Sequence, residues 1–595
     1  MTAHISATAN NLVAKATTSV GITINGVMYA NGAITINGAS NSTYGISASA
    51  DITSKNDSVT ITGSTVASIG VYVTAANIVT GNNITINGAS ISAPSWATQI
   101  GGLKINSTSV GGNIVVTGNV IGTPGAAGGI YQIGNINGAN GSNISFISNN
   151  DISQSGALIL VANTSGSAAN ITFDTTTGDK TSSIVSGVVT IAASTSTSAI
   201  NFIEKSAGAS LNPGAIGTSA VNLPGYLLID NTFGCSGSGC TPVTGFINAT
   251  TPNLTTLATA SIGATINAAI FTTGNITINA ASNTNRGIDA SVNITSTNGN
   301  VVLNGATVST IGVYVVAGNT VTGNNITING TATSASVSWV NQIAAMTINS
   351  AAVGGSITVT GNVVGIPGAA GGIYQIGNIS GASGSNISFI SNNNISQYGA
   401  ITLAANTSAN SSNVSYDVTA GNKLSTILTG QLTVTAGSLS NINYSVLASG
   451  AAINIASNVT VPGAITLDNT YGCSGSGCAP ATGYINASLV GWTNLPTTGG
   501  YGVLVNGNLS GTAITINGVN AGGTTGGGGS VALAGGLTAT SGNINITGLT
   551  TTGIAVGNLY GGAWGITPII ANSGAVNITG TSTTTGNGVE LGPNN

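Results

Sequence analysis

Short runs of alternating apolar and polar residues, closed by Asn-Gly or Gly, recur along the whole chain. In Gly32-Ala-Ile-Thr-Ile-Asn-Gly38, Ile34 and Ile36 fall on one side of an extended segment and Thr35 on the other. Close variants are Gly21-Ile-Thr-Ile-Asn-Gly26, Asn83-Ile-Thr-Ile-Asn-Gly88, Asn325-Ile-Thr-Ile-Asn-Gly330 and Ala513-Ile-Thr-Ile-Asn-Gly518. Looser ones are Val59-Thr-Ile-Thr-Gly63, Ile357-Thr-Val-Thr-Gly361, Ile544-Asn-Ile-Thr-Gly548 and Val576-Asn-Ile-Thr-Gly580. Period-2 alternation bounded in this way predicts a short strand followed by a turn at the Asn-Gly. Repetition on this scale predicts a solenoid.

The strand starts are rhythmic but not uniform. Ile34, Val59 and Ile84 are evenly spaced, and Ile276, Val301 and Ile326 keep the same rhythm. Elsewhere the interval varies. An all-β parallel β-helix accommodates both facts, with two or three short strands per coil, turns of variable length and Ile and Val stacked inside. Coils of roughly 20 to 25 residues at about 4.8 Å each give about 25 coils and a rod on the order of 120 Å long. Asn at the turns tolerates left-handed backbone and bonds its own backbone. Stacked Asn side chains can also bond one another from coil to coil. The many Asn-Ile-Thr and Asn-Ile-Ser triplets match the glycosylation acceptor pattern, but read first as strand-and-turn grammar.

Longer stretches recur as well. Ile69-Gly-Val-Tyr-Val73 returns as Ile311-Gly-Val-Tyr-Val315, and Thr80 to Gly88 returns unchanged as Thr322 to Gly330. Pro124 to Asn135 returns as Pro367 to Asn378, and Asn143 to Asn150 as Asn386 to Asn393. A third copy starts near Gly500 and drifts. The expected organisation is a lead-in at 1–19, β-helix repeat units at 20–261 and 262–499, and a partial unit at 500–595. With no Pro-rich or charged linker between them, these read as duplications within one continuous solenoid.

Composition narrows the function. Charged residues are 3% of the chain, against roughly 25% in ordinary soluble domains. The basic residues are Lys15, Lys55, Lys104, Lys180, Lys205, Arg286 and Lys423, and they form no patch. That excludes the basic footprint nucleic-acid binding requires. No apolar run reaches the roughly 18 to 20 residues of a spanning helix, and the strand motifs fall short of the about 9 to 11 residues of a barrel strand. No membrane-spanning segment is therefore expected. Met1-Thr-Ala-His-Ile-Ser-Ala-Thr8 has no basic n-region and no apolar h-region, so it is not a signal peptide. The expectation is a fragment of a longer exported protein.

Candidate chemistry is sparse. The four cysteines form two Cys-Ser-Gly-Ser-Gly-Cys hexapeptides, Cys235 to Cys240 and Cys473 to Cys478. Such pairs can close a local disulfide, which suits an exported protein, although so short a loop adds little chain-entropy stabilisation. Free thiols and a metal site are the alternatives. The acids are Asp51, Asp57, Asp151, Asp174, Asp179, Glu204, Asp230, Asp289, Asp417, Asp468 and Glu590. Of these, Asp230 and Asp468 alone are read as matching between copies, each just before a Cys loop. His4 is the single histidine. No triad, zinc set, phosphate loop or periodic calcium motif can be assembled, and the expectation is a non-enzyme with no cofactor. Trp96 and Trp339 stand at equivalent places, as do Tyr131 and Tyr374; Trp492 and Trp564 lie among Gly and Thr. Such aromatics either cover a coil edge or form an exposed stacking surface for a sugar or another partner.

The segments Gly32-Ala-Ile-Thr-Ile-Asn-Gly38, Gly274-Asn-Ile-Thr-Ile-Asn279 and Ser541-Gly-Asn-Ile-Asn-Ile-Thr-Gly548 resemble the repeat regions of filamentous-haemagglutinin-like and autotransporter passenger proteins of Gram-negative bacteria. The resemblance covers nearly the whole chain. It implies a right-handed β-helix, export across the outer membrane, and a role at the cell surface in adhesion, aggregation or biofilm formation. The group's N-terminal secretion domain and C-terminal anchor or translocator are not recognisable here. Expected partners are other copies of the chain or related surface fibres, and host or environmental glycans or proteins. The other expectation is a surface-layer or extracellular-matrix filament subunit with no specific receptor.

Overall fold

The structure is a computed structural model. It describes all residues except 1–4, 9–18, 93–95, 107–108, 122–127, 162, 179–180, 192–197, 218–221, 234–260, 309, 335–337, 365–370, 405–411, 422–424, 435–441, 451, 472–500, 521–528, 559–567 and 592–595. The chain divides into two compact units, Met1–Thr307 and Val308–Asn595. Both are all-β, and each is a parallel β-solenoid with three strands per coil. No helix occurs among the described residues, so none is long and apolar enough to cross a membrane.

In the first unit the repeat motif forms the longest strands, among them Ile34–Ser40, Val59–Thr65 and Ile84–Ser90. They stack in parallel and in register, Ile34 on Val59 on Ile84 and Ile36 on Ile61 on Ile86. A second face carries Ile46–Ala48, Val71–Val73, Trp96–Ile100 and Gly128–Gln132. A third face is a seven-stranded sheet from Met28–Ala30 to Val189–Ile191. The second unit repeats the plan, with long strands such as Ile326–Ala332, Ser356–Val363 and Ile442–Ala448.

Alternation explains the core. Every second residue points inward, and those residues are the Ile and Val of the motif, almost all fully buried. Each buried side chain of that size contributes roughly 1.5–3 kcal/mol. Midway along each unit the inner column turns aromatic. Phe146 stacks on Phe173 at a centroid separation of 5.0 Å, and Phe202 meets Phe173 tilted at 5.7 Å. In the second unit Phe389 stacks on Tyr416 at 5.1 Å, and Tyr444 meets Tyr416 tilted at 5.8 Å.

Two sequence expectations change. In the long strands the Asn-Gly or Thr-Gly that closes the motif does not turn the chain, and the strand runs on to Ser40, Thr65 or Ser90, whereas at Asn25-Gly26 the strand Ile22–Ile24 does end. The glycine is needed for contact instead. A Cβ on Gly63 would lie 2.0 Å from the carbonyl oxygen of Gly70, on the next face of its own coil. Its register partners Gly38 and Gly88 are equally crowded. Gly63→Ala is expected to cost about 2–3 kcal/mol by overpacking, read as a lower thermal midpoint, whereas Gly26→Ala, with open space around it, leaves the midpoint unchanged.

Many coils exceed the expected 20 to 25 residues. They take 25 residues between Ile34, Val59 and Ile84, at the top of that range, but 30 between Ile84, Ile114 and Ile144. Three strands and three corners consume more chain than two or three strands with tight turns, so the coils are fewer. The longest steps, Leu227 to Ile276 and Ile465 to Ile514, contain the cysteine segments.

The Asn ladders form. Asn113 N donates to Asn83 Oδ1 (3.0 Å), Asn143 Nδ2 to Asn113 Oδ1 (3.2 Å), Asn170 N to Asn143 Oδ1 (2.9 Å) and Asn201 Nδ2 to Asn170 Oδ1 (3.0 Å). Asn386, Asn413 and Asn443 repeat this in the second unit. Several of these residues open the acceptor-like triplets. A glycan on Asn143 would therefore cost the bond its amide makes to Asn113.

Candidate functional site

Most of the described aspartates accept from backbone N–H groups. Asp230 Oδ1 accepts from Thr232 N (2.9 Å) and Oγ1 (2.6 Å), while Oδ2 accepts from Asn279 Nδ2 (2.8 Å) one coil on. Asp468 makes the same set with Thr470 and Asn517. Burial raises the Asp230 carboxyl above its ordinary value, opposed by the Asn279 and Thr232 bonds and by the Lys205 charge. Asp174 and Asp417 also match each other, contrary to the sequence reading. Each accepts from the N and Oγ1 of a threonine two residues on, Thr176 and Thr419. The shared signal is Asp-x-Thr, obscured because the surrounding residues differ. Asp51 accepts from Ile78 N and Asp57 from Ser58 N. Asp151 accepts from Ser183 N, and Asn394 makes the same bond to Thr426 N in the second copy. Asp289 pairs with Arg286 at 2.6 Å.

Beside the Asp230 and Asp468 turns lies a pair of buried amides the sequence reading missed. Asn231 Nδ2 donates to the carbonyls of Ala209 (3.2 Å), Gly263 (3.2 Å) and Ala281 (3.1 Å), and its Oδ1 accepts from Ala281 N (2.8 Å). Asn469 bonds Val519 N and O in the same way. Each Asp-Asn-Thr clasp thus joins its own coil to the next at the point where the chain departs on its longest step. Cys235, Cys240, Cys473 and Cys478 lie outside the described residues. Among the described residues no group of three His, Cys, Asp or Glu is placed to hold a metal ion.

One carboxyl is buried with only a serine hydroxyl near it. Glu204 points into the core, in register between Phe173 and Ile229, fully buried and with neither oxygen hydrogen-bonded. Burial pushes it up to about 8, and the nearby Ser186 hydroxyl offsets only part of that. In the second unit the same position, between Tyr416 and Leu467, is Val446.

The aromatic residues come together in pairs. Trp96 stacks on Tyr131 at 5.2 Å and 18°, and Trp339 on Tyr374 at 5.1 Å and 23°. All four are half-buried on the outside of the second face. Tyr398 adds an edge contact to Tyr374 at 5.5 Å, and Tyr44 stacks on Tyr72 at 4.9 Å. Trp492 and Trp564 lie outside the described residues. The register extends these pairs into columns. Gln99 sits between Tyr72 and Tyr131, and Gln342 between Tyr314 and Tyr374. Comparison of the chain with family models, curated proteins and solved structures gives no significant match.

Proposed function

We propose that the chain is a non-enzymatic, extracellular structural and adhesive fibre or stalk that serves surface attachment, aggregation or biofilm formation. The observation that carries the reading is the outer surface of the coils. It is nearly free of charge, ordered by Asn ladders, and interrupted by paired, half-exposed Trp and Tyr side chains at equivalent places in both units. A surface with so little charge repels neighbouring fibres weakly. The carboxylates described above are engaged by backbone amides, by Arg286 or by burial, which suits a scaffold more than acid–base chemistry. The resemblance to passenger-type surface adhesins belongs to this proposal, as do export and a place on the cell surface.

A second reading, a self-assembling filament subunit without a specific receptor, draws on the same nearly charge-free coil surface, which sets little repulsion between neighbouring copies. Electron microscopy of native material at the cell surface, read with intact mass, separates the two. Isolated fibres anchored at one end, each a single chain, are expected for the adhesin. Filaments that repeat at the length of one chain support the subunit reading, and absence from the surface would overturn both.

A further inference from the structure

We infer that the second face carries two equivalent binding strips for a neutral glycan chain, Tyr72–Gln99–Tyr131 in one unit and Tyr314–Gln342–Tyr374 in the other. This rests on the surface-attachment reading and names the ligand class. The strips follow from the register. Gln99 is the partner of both Tyr72 and Tyr131, and Gln342 of both Tyr314 and Tyr374. The two tyrosines of a strip are therefore two coils apart, about 9.6 Å, with an amide between them.

Three features select a glycan. First, the rings keep accessible surface. Tyr72, Tyr131, Tyr314 and Tyr374 are each half-buried, even with Tyr44 stacked on Tyr72, Trp96 on Tyr131, and Trp339 and the Tyr398 edge against Tyr374. A pyranose presents an apolar C–H face that such rings cover. Second, Gln99 and Gln342 are half-buried and make no hydrogen bond among the described residues, unlike the core-facing Gln132 and Gln375 of adjacent coils, which bond the Gly101 and Ala344 carbonyls. Their amides offer a donor and an acceptor to sugar hydroxyls. Third, the six strands that build the strips contain no Asp, Glu, Lys or Arg. A sulfated or uronic-acid polymer would find no countercharge there, whereas a neutral one loses no ionic hydration. The strips run along the stacking direction, which suits an extended chain more than a single sugar.

Affinity electrophoresis of the full chain tests this, with hydroxyethyl cellulose as the neutral probe and dextran sulfate as the charged control. The expected result is retardation by hydroxyethyl cellulose that persists in high salt. It weakens at least about tenfold when Tyr72, Tyr131, Tyr314 and Tyr374 are all changed to alanine. Gln99→Leu with Gln342→Leu, a milder outward change that keeps the rings, weakens it about threefold and serves if the alanine variant does not fold. No retardation of the wild type, retardation by dextran sulfate alone, or retention unchanged in both variants would overturn the inference. Failure to find the chain at the cell surface, with retardation intact, would count against the attachment reading alone.

Discussion

Glu204→Val is expected to stabilise its coil, and by an amount that depends on pH. The wild-type carboxyl sits between Phe173 and Ile229 with only the Ser186 hydroxyl near it. Unfolded, it releases its proton near the ordinary value of 4.5; in the coil it holds that proton to about 8. Between those values the unfolded chain binds fewer protons, so stability falls as pH rises. The contribution is fully present below 4.5, is lost progressively up to about 8, and stays lost above. The gap between the two values caps the loss at about 5 kcal/mol. Glu204→Val should therefore gain about 1–2 kcal/mol at pH 4, where only an uncharged carboxyl is removed, and on the order of 6 kcal/mol at pH 9, where the pH-dependent loss is added. Glu204→Gln should abolish the pH dependence and recover less of the stability. The coils of a solenoid unfold locally. The readout is therefore amide exchange in Ala169–Thr175, Ile200–Ser206 and Leu227–Asp230, compared between wild type and variant at each pH. A wild-type profile that is flat from pH 4 to 9 would contradict the burial of a bare carboxyl.

Asn231→Leu is expected to be the most damaging single change at the clasp. The side chain is fully buried; its two amide hydrogens are shared among three carbonyls, and its oxygen accepts from one N–H, across neighbouring coils. Leucine has similar volume but leaves those groups without their amide partner. Ala209 O keeps the Ser206 hydroxyl and Gly263 O keeps Leu211 N, so Ala281 N and O lose most, and at roughly 1 kcal/mol or more for each the loss is about 2 kcal/mol. Asn469→Leu, which breaks the matching bonds to Val519, should behave alike in the second unit. Thermal unfolding followed by circular dichroism at 218 nm measures both, with Asn25→Leu as an exposed control. A loss no greater than that of the control would show that the clasp does not hold these coils together.

The architecture was legible because alternation and repetition are written directly into the residues. Ile34, Val59 and Ile84 were expected to start successive strands, and they are register partners. Stacked Asn side chains were also foreseeable, because Asn precedes so many strands. Except at Gly26, where the strand does end, the glycine that closes the motif was misread as a turn. Its need is a contact with the next face, and that contact exists only once the coil is closed. Asp174 and Asp417 were missed as a pair because a two-residue spacing to threonine, not the flanking sequence, makes them equivalent. Glu204 gave no signal of burial, since a charged residue beside Lys205 reads as solvent-facing; only the register sends the two side chains to opposite sides of the strand. The aromatic strips were half visible. Trp96, Trp339, Tyr131 and Tyr374 stood out by type and duplication, whereas Gln99 and Gln342 acquire meaning only from the strands above and below them.

The register on which all of this depends can be measured with cysteine pairs. In a chain whose native cysteines are changed to serine, Thr60→Cys with Thr85→Cys places two thiols at register partners on the outer face. Their Cα separation of about 4.8 Å lies within the range a disulfide spans. The same holds for Thr327→Cys with Thr358→Cys in the second unit. Mild oxidation followed by non-reducing intact mass should show both pairs closed, while Thr60→Cys with Ile84→Cys, one residue out of register and inward-facing, stays reduced. Closure of the displaced pair in place of the aligned one would contradict the coil-by-coil register, and with it the aromatic strips and the buried glutamate.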